Sequence, residues 1–182
     1  MPATTTDVAT PTAASLASAG LHTVAPFVPP PGANILRVGA DQPFTTLASA
    51  LAVARDGDVL LVQAGTYVND FARIAAKVSI IGVGGMVNLV ATVPPPDGKA
   101  ILTVDADALI ENVSFAGARV ADQNGAGIRY EAGDLTLRNC SFHDNENGLM
   151  GGAPNGTLLI QHCDFGHNGN GNGLTPAILS GC

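Results

Sequence analysis

The sequence predicts a right-handed parallel β-helix, in which short strands wind in successive coils around a narrow apolar core. Three observations predict it. The composition is 46% hydrophobic but only 4% aromatic and 13% charged, with no Trp, 22 Gly and 12 Pro among 182 residues. That suits a turn-rich β protein with small side chains and not a helical bundle. A pattern of alternating apolar residues recurs along the chain with the same two-residue interruption. When the copies are stacked, like residues fall on like.

Residues 1–32 are rich in Ala, Thr and Pro and finish at the stiff Pro29-Pro30-Pro31 step. They read as a flexible leader, without the basic start and compact apolar run of an intact signal peptide. The β-helix domain is expected over residues 33–182. Pro43 to Arg55 reads as an amphipathic helix with Phe44, Leu47, Leu51 and Val53-Ala54 near one side. Thr45, Thr46 and Ser49 are its capping candidates. Such a helix would plug the N-terminal end of a solenoid, whose core and strand edges otherwise lie open. Asp56-Gly57-Asp58 is a turn signal, and the first buried strand follows over Val59 to Val62.

The repeat is clearest in the second half of the chain. Leu135 and Leu137 alternate, two positions are skipped, and Cys140 and Phe142 alternate again. Leu158, Ile160, Cys163 and Phe165 repeat this, as do Ala108, Ile110, Val113 and Phe115. Weaker copies are expected at Val78, Ile80 and Val83, and at Val59, Leu61 and Ala64. Period-two alternation is a strand with one face buried. The skips Glu111-Asn112, Arg138-Asn139 and Gln161-His162 are corners where the inward face restarts. Two strands joined by a bend, recurring after roughly 20 to 30 residues, make one coil of a solenoid.

Stacking places Phe115, Phe142 and Phe165 in one internal column and Val113, Cys140 and Cys163 in its neighbour. The two cysteines are then small buried hydrophobes, and three cysteines without dense spacing argue against a disulfide framework. Asn145 over Asn168 predicts an asparagine ladder at a turn, and Gly148 and Gly169 fit tight turns after it. Beyond Phe165 the chain starts another coil at Leu174 and reaches Cys182 with no capping segment. Solenoids need caps. The sequence therefore predicts an uncapped C-terminal end, either truncated from a longer helix or covered by another copy; self-association through Leu158 to Leu179 is expected, with Cys182 available for an intermolecular disulfide.

The net charge is −7, and no Lys or Arg follows Arg138. This excludes the electrostatic footprint of a nucleic-acid or anionic-membrane partner. No stretch approaches the roughly 20 apolar residues of a membrane span.

Gln42-Pro43-Phe44-Thr45-Thr46-Leu47-Ala48-Ser49-Ala50-Leu51, with Asp56-Gly57-Asp58-Val59 and Ala64-Gly65-Thr66-Tyr67, resembles the opening of the pectin-lyase-like superfamily of right-handed parallel β-helices, pectin methylesterases included. Asn112-Val113-Ser114-Phe115 and Asn139-Cys140-Ser141-Phe142 are similar to the coil signatures of bacterial β-helix repeat proteins. The resemblance covers about residues 35–175. It implies a carbohydrate-binding or polysaccharide-processing module with a polysaccharide partner, extracellular by fold class. The superfamily also hosts non-enzymatic proteins, so a structural, self-assembling solenoid and an inactive fragment of a longer enzyme stand as alternatives. The motifs of its polygalacturonases (Asn-Thr-Asp, Asp-Asp, Gly-His-Gly, Arg-Ile-Lys) and methylesterases (Gln-Asp-Thr, Asp-Phe-Ile-Phe-Gly) are absent from the sequence.

Lyase or epimerase chemistry on uronans needs less: a base to take the proton α to a carboxylate, and a cation to hold the developing charge. His143, Asp144 and Glu146 from one coil and His167 from the next are the catalytic candidates, set against a reading as solvated turn residues beside the asparagine ladder. Arg129 and Arg138 are candidate contacts to substrate carboxylates. No cofactor is required. The residue types allow one alternative, a calcium ion drawing on Asp144, Glu146 and Asp164, without the nonapeptide of calcium-binding rolls.

Overall fold

Alternating side chains force the chain into short strands stacked coil upon coil. A computed structural model, which describes residues 27–169, arranges them in three parallel stacks. The first stack contains β1 (Ile35–Val38), the leading halves of β2 (Val59–Val68) and β4 (Val78–Val90), β6 (Ala108–Glu111), β9 (Leu135–Arg138) and β12 (Leu158–Gln161). The second contains the trailing halves of β2 and β4, then β7 (Val113–Ala116), β10 (Ser141–His143) and β13 (Asp164–Gly166). The third contains β3 (Ala72–Ile74), β5 (Ala100–Val104), β8 (Ala126–Tyr130) and β11 (Asn147–Gly151). Every pairing is parallel. The fold is the expected all-β parallel β-helix, with one short helix at its N-terminal end.

The predicted corners exist and have one chemical cause. Asn112, Asn139 and His162 follow the first-stack strands with φ of 60°, 47° and 54°, the left-handed region that Asn and His tolerate better than branched residues. The side chains of the first two form a ladder. Asn139 donates to the Asn112 amide oxygen (2.7 Å), and Asn112 donates to the Gly82 carbonyl (3.0 Å). At the next corner Gly117, Asp144 and His167 are left-handed in turn. The expected Asn145–Asn168 ladder lies just beyond, and Asn145 is wholly buried. Asn145 donates to the Phe115 carbonyl (2.9 Å) and Asn168 to that of Phe142 (2.8 Å). At the third corner carboxylates do this work. Asp107 accepts from the Asp134 N–H (3.0 Å), and Asp134 from the Thr157 N–H (2.7 Å). Lys77 adds an exposed ion pair to Asp107 (3.0 Å).

The core runs along the axis. Phe115, Phe142 and Phe165 stack with ring centroids 5.0 and 4.5 Å apart and planes within 7°. Across from them stand glycines. A Cβ on Gly127 would lie 2.9 Å from Phe115 Cβ and from Phe142 Cδ1, and one on Gly148 would lie 2.8 Å from Phe165 Cδ1. Gly148 is therefore a strand residue in β11 that makes room for the rings, and not the turn residue expected from sequence. Gly169 does have positive φ.

Two further expectations are corrected. In the first coil the inward residue is Leu60, in register with Ile80, while Leu61 aligns with outward-facing Ile81. In the second coil Val87, and not Val83, pairs with Val113. The run Val59-Leu60-Leu61-Val62 is apolar on both faces, and its outer face borders two recesses that Phe27, Pro29 and Pro30 of the expected leader help to line. The helix, α1, spans Leu47–Leu51 and not residues 43–55. Thr46 is its N-cap, and Phe44 instead forms an isolated bridge with Val38. Its first amides, Leu47 and Ala48, donate to the buried carboxylate of Asp70. Residues 1–26 and 170–182, including Cys182, lie outside the described residues. No helix among the described residues is long and apolar enough to cross a membrane.

Candidate active site

Strand alternation sets the site. In β10 Phe142 points inward, so Ser141 and His143 point outward; in β7 Val113 and Phe115 point inward, so Ser114 points outward. Parallel register puts Ser141 beside Ser114 and His143 beside Ala116. Ala116 is small, and the imidazole reaches diagonally across it. His143 Nε2 lies 3.2 Å from Ser114 Oγ, and Nδ1 lies 2.9 Å from Asp144 Oδ2. Ser141 donates its hydroxyl to Ser114 Oγ at 2.9 Å. The left-handed backbone of Asp144 (φ 58°) turns its carboxylate back beside the ring.

An ionised Asp144 can only accept, so Nδ1 carries a proton; in the neutral tautomer that this selects, Nε2 accepts from Ser114. The hydrogen bond from His143 holds the Asp144 carboxyl below its ordinary range. Desolvation opposes this, and the Arg119 charge adds to it. His143 is 44% and Asp144 66% exposed, so the group faces solvent. Ser114 is 4% exposed and lies beneath the imidazole.

The four expected catalytic residues do not converge. His143 and Asp144 are joined, and His167 enters the same electrostatic neighbourhood from the next coil. Glu146 is drawn inside. It is buried, and its Oε2 accepts the Val120 N–H (3.0 Å) and Gly125 N–H (2.7 Å), tying down the loop after β7. Ser114, Ser141 and Arg119 were not singled out from sequence. The repeated Val-Ser-Phe and Cys-Ser-Phe mark both serines as outward strand positions, but only inter-coil register joins them to a histidine 29 residues from Ser114.

The two arginines lie on other faces. Arg129 is on the outer face of the third stack, between Thr103 and Met150. Its Nε bonds Glu131 (3.1 Å), its Nη1 is buried with no hydrogen-bond partner, and Lys99 reaches the same Glu131 oxygen (3.0 Å). Lys99 first, and then Arg129, hold the Glu131 carboxyl below its usual range against desolvation. Arg138 is on the first stack beside Glu111 and donates to Gln161 (3.0 Å). Among the described residues no three His, Cys, Asp or Glu side chains gather to hold a metal ion. Asp144 and Asp164 are exposed and Glu146 is committed to backbone.

Two recesses lie on the outer face of the first stack. One of about 310 Å³ runs beside Lys77, Asp107 and Asp134. The other, about 260 Å³, lies between Phe27, Pro29 and Glu111. Neither includes the Ser114 group, which occupies an open, shallow face.

No family model matches the chain, and no curated protein matches it. Among solved structures the chain is similar to pectin methylesterase from Aspergillus niger in penultimately deglycosylated form, at 21% identity and a TM-score of 0.51. The same enzyme in deglycosylated form gives 21% identity and 0.49. In each case the alignment covers 74% of this chain and 50% of that one, so the chain spans about half the length of the solved structures it matches. The likeness of the first establishes the fold, a parallel β-helix.

Proposed function

We propose that this chain is a polysaccharide-processing module that works on the outer face of its second stack, with His143 as the group that carries the proton. The observation behind the reading is the double engagement of His143, bonded to Asp144 through one ring nitrogen and to Ser114 through the other, on a solvent-facing surface. Coils about 4.8 Å apart present this group in a flat, extended array that suits an extended polymer. The solved neighbour is named a pectin methylesterase, which favours pectin among the ligands to try. Asp144 orients the imidazole, and Arg119 supplies positive charge near it. Arg129 is a carboxylate contact on the adjoining stack; Arg138 faces a third side and is outside this reading. Glu146 positions the loop that bears Arg119. The domain is taken as residues 33–182 behind a leader, in an extracellular setting.

For lyase or epimerase chemistry His143 Nε2 would have to release Ser114 before taking a carbon-bound proton. The test is incubation of the purified chain with polygalacturonate, methyl-esterified pectin and alginate, reading product release and retardation in affinity gels. Binding to at least one polymer is expected. Turnover should fall about 10²–10⁴-fold in His143→Asn, with unchanged far-ultraviolet circular dichroism. Absence of binding to all three, or full turnover in the variant, overturns the reading.

A further inference from the structure

We propose that Ser114 is a nucleophile and that Ser114, His143 and Asp144 together hydrolyse carboxylic esters, with short O-acyl groups on a polysaccharide as the substrate class. The polymer part of this inference rests on the reading above; the ester chemistry does not. The geometry assigns the roles. A serine hydroxyl is a poor nucleophile unless a base receives its proton, and the base must itself be held in one tautomer. Ser114 Oγ meets Nε2 at 3.2 Å, and Nδ1 meets a carboxylate at 2.9 Å, which is the required order of atoms. Ser141 donates to Ser114 Oγ, which leaves the Ser114 hydroxyl able to donate to Nε2 of the neutral imidazole.

A purely structural serine column needs none of this. Ser114 and Ser141 would satisfy each other, and an exposed histidine would be free to turn to water. Here the imidazole spans two coils to reach Ser114.

The reaction balances with water as the only co-reactant. Ser114 Oγ forms a bond to the acyl carbon as its proton passes to His143 Nε2, and the carbonyl π pair moves onto oxygen. That oxyanion needs a donor. The strand amides are committed to sheet pairing, but Asn88 stands in register with Ser114 one coil earlier. Its side-chain N–H reaches only the Gly65 carbonyl, at 3.5 Å, and is free to turn. Asn88 is therefore assigned as the oxyanion donor, a role amide side chains can fill. Collapse of the intermediate breaks the bond to the sugar oxygen, which leaves with the proton from His143. Water then attacks the acyl-serine, giving its proton to His143; the acid departs and Ser114 regains its hydrogen.

The surface sets the acyl length. His143 lies in a row with Val90, Ala116 and Gly166, which offers no deep apolar slot, so acetyl-sized groups fit and long acyl chains do not.

The full chain is treated with a fluorophosphonate probe and digested, and adducts are mapped by mass spectrometry. Hydrolysis of p-nitrophenyl acetate and release of acetate from acetylated pectin are measured in parallel. A single adduct on Ser114 is expected. Ser114→Ala should lose the adduct and roughly 10³-fold or more of esterase activity while still binding polymer. Asp144→Asn should slow labelling at least about tenfold without changing near-ultraviolet circular dichroism. Should Ser114→Ala fail to fold, mapping on the unmodified chain decides alone. No adduct on Ser114 in folded protein overturns the inference, and intact polymer binding would then leave the earlier reading standing. Labelling and small-ester turnover without polymer binding would overturn the earlier reading and leave the nucleophile.

Discussion

Cys140 and Cys163 hold the same position in consecutive coils, yet their thiols are opposite in character. The hydrogen bond between them favours ionisation of Cys163, pulled down to about 7 against partial burial, and disfavours that of Cys140, which burial raises further. A lowered thiol reacts faster at neutral pH because more of it is thiolate. With Cys182 replaced by Ser, one cysteine should react quickly with Ellman's reagent. Its rate should rise as pH passes upward through about 7, and peptide mapping should find it at Cys163. Two thiols of equal rate, or a midpoint near the ordinary cysteine value of about 8.5, would refute the assignment. Sequence made both cysteines small inward hydrophobes, which holds for placement. Their difference follows first from the contact between coils and then from burial, quantities no local pattern carries. The same limit hid Ser114, because an outward serine on a strand reads as solvated until its neighbour in the next coil is known. His143 and Asp144 were legible since they adjoin each other in the chain. Glu146 was misplaced because a carboxylate near a turn looks exposed, whereas here it ties down a loop 21 to 26 residues upstream.

Helix α1 has five residues, too few to persist without tertiary support. Its support comes from Asp70, whose carboxylate takes two of the orphan amides of the first turn. Asp70→Ala should cost about 2 kcal/mol in urea unfolding, the order expected when bonds to a charged acceptor are lost and a buried amide is left bare. Asp70→Asn should recover part of this, and a change under about 0.5 kcal/mol in Asp70→Ala would show that the cap is not needed. Asp70 lies 23 residues from Leu47, so the sequence announced the apolar stripe and the Thr46 cap but not the carboxylate that takes the first amides. Phe44 has the right spacing for the stripe and pairs with Val38 because the preceding strand offers it an edge. The first strands were misread by one residue for a related reason. Where the outer face borders a recess that Phe27 and Pro29 help to line, both parities of the strand are apolar and alternation loses its meaning.

In the last described coil Ile160 packs against the core. A charge at Ile160 would sit against the core column of Leu137, so Ile160→Asp should destabilise the chain by about 1–3 kcal/mol. If that coil is an association surface, light scattering should find the unmodified chain as a dimer or larger and the variant as a monomer. A monomeric unmodified chain excludes self-association. The repeat itself was the most legible feature, because stacking requires like residues in every coil and so writes the architecture into the sequence several times over. The Ser114–His143–Asp144 group is written once. One consequence of the phenylalanine column is optical. The chain has no Trp and two Tyr, so the parallel rings of Phe115, Phe142 and Phe165, coupled at 4.5 to 5.0 Å, give the protein an internal chromophore array. Its signal in the phenylalanine absorption band grows with each coil that closes, and winding of the solenoid can be followed without attaching any label.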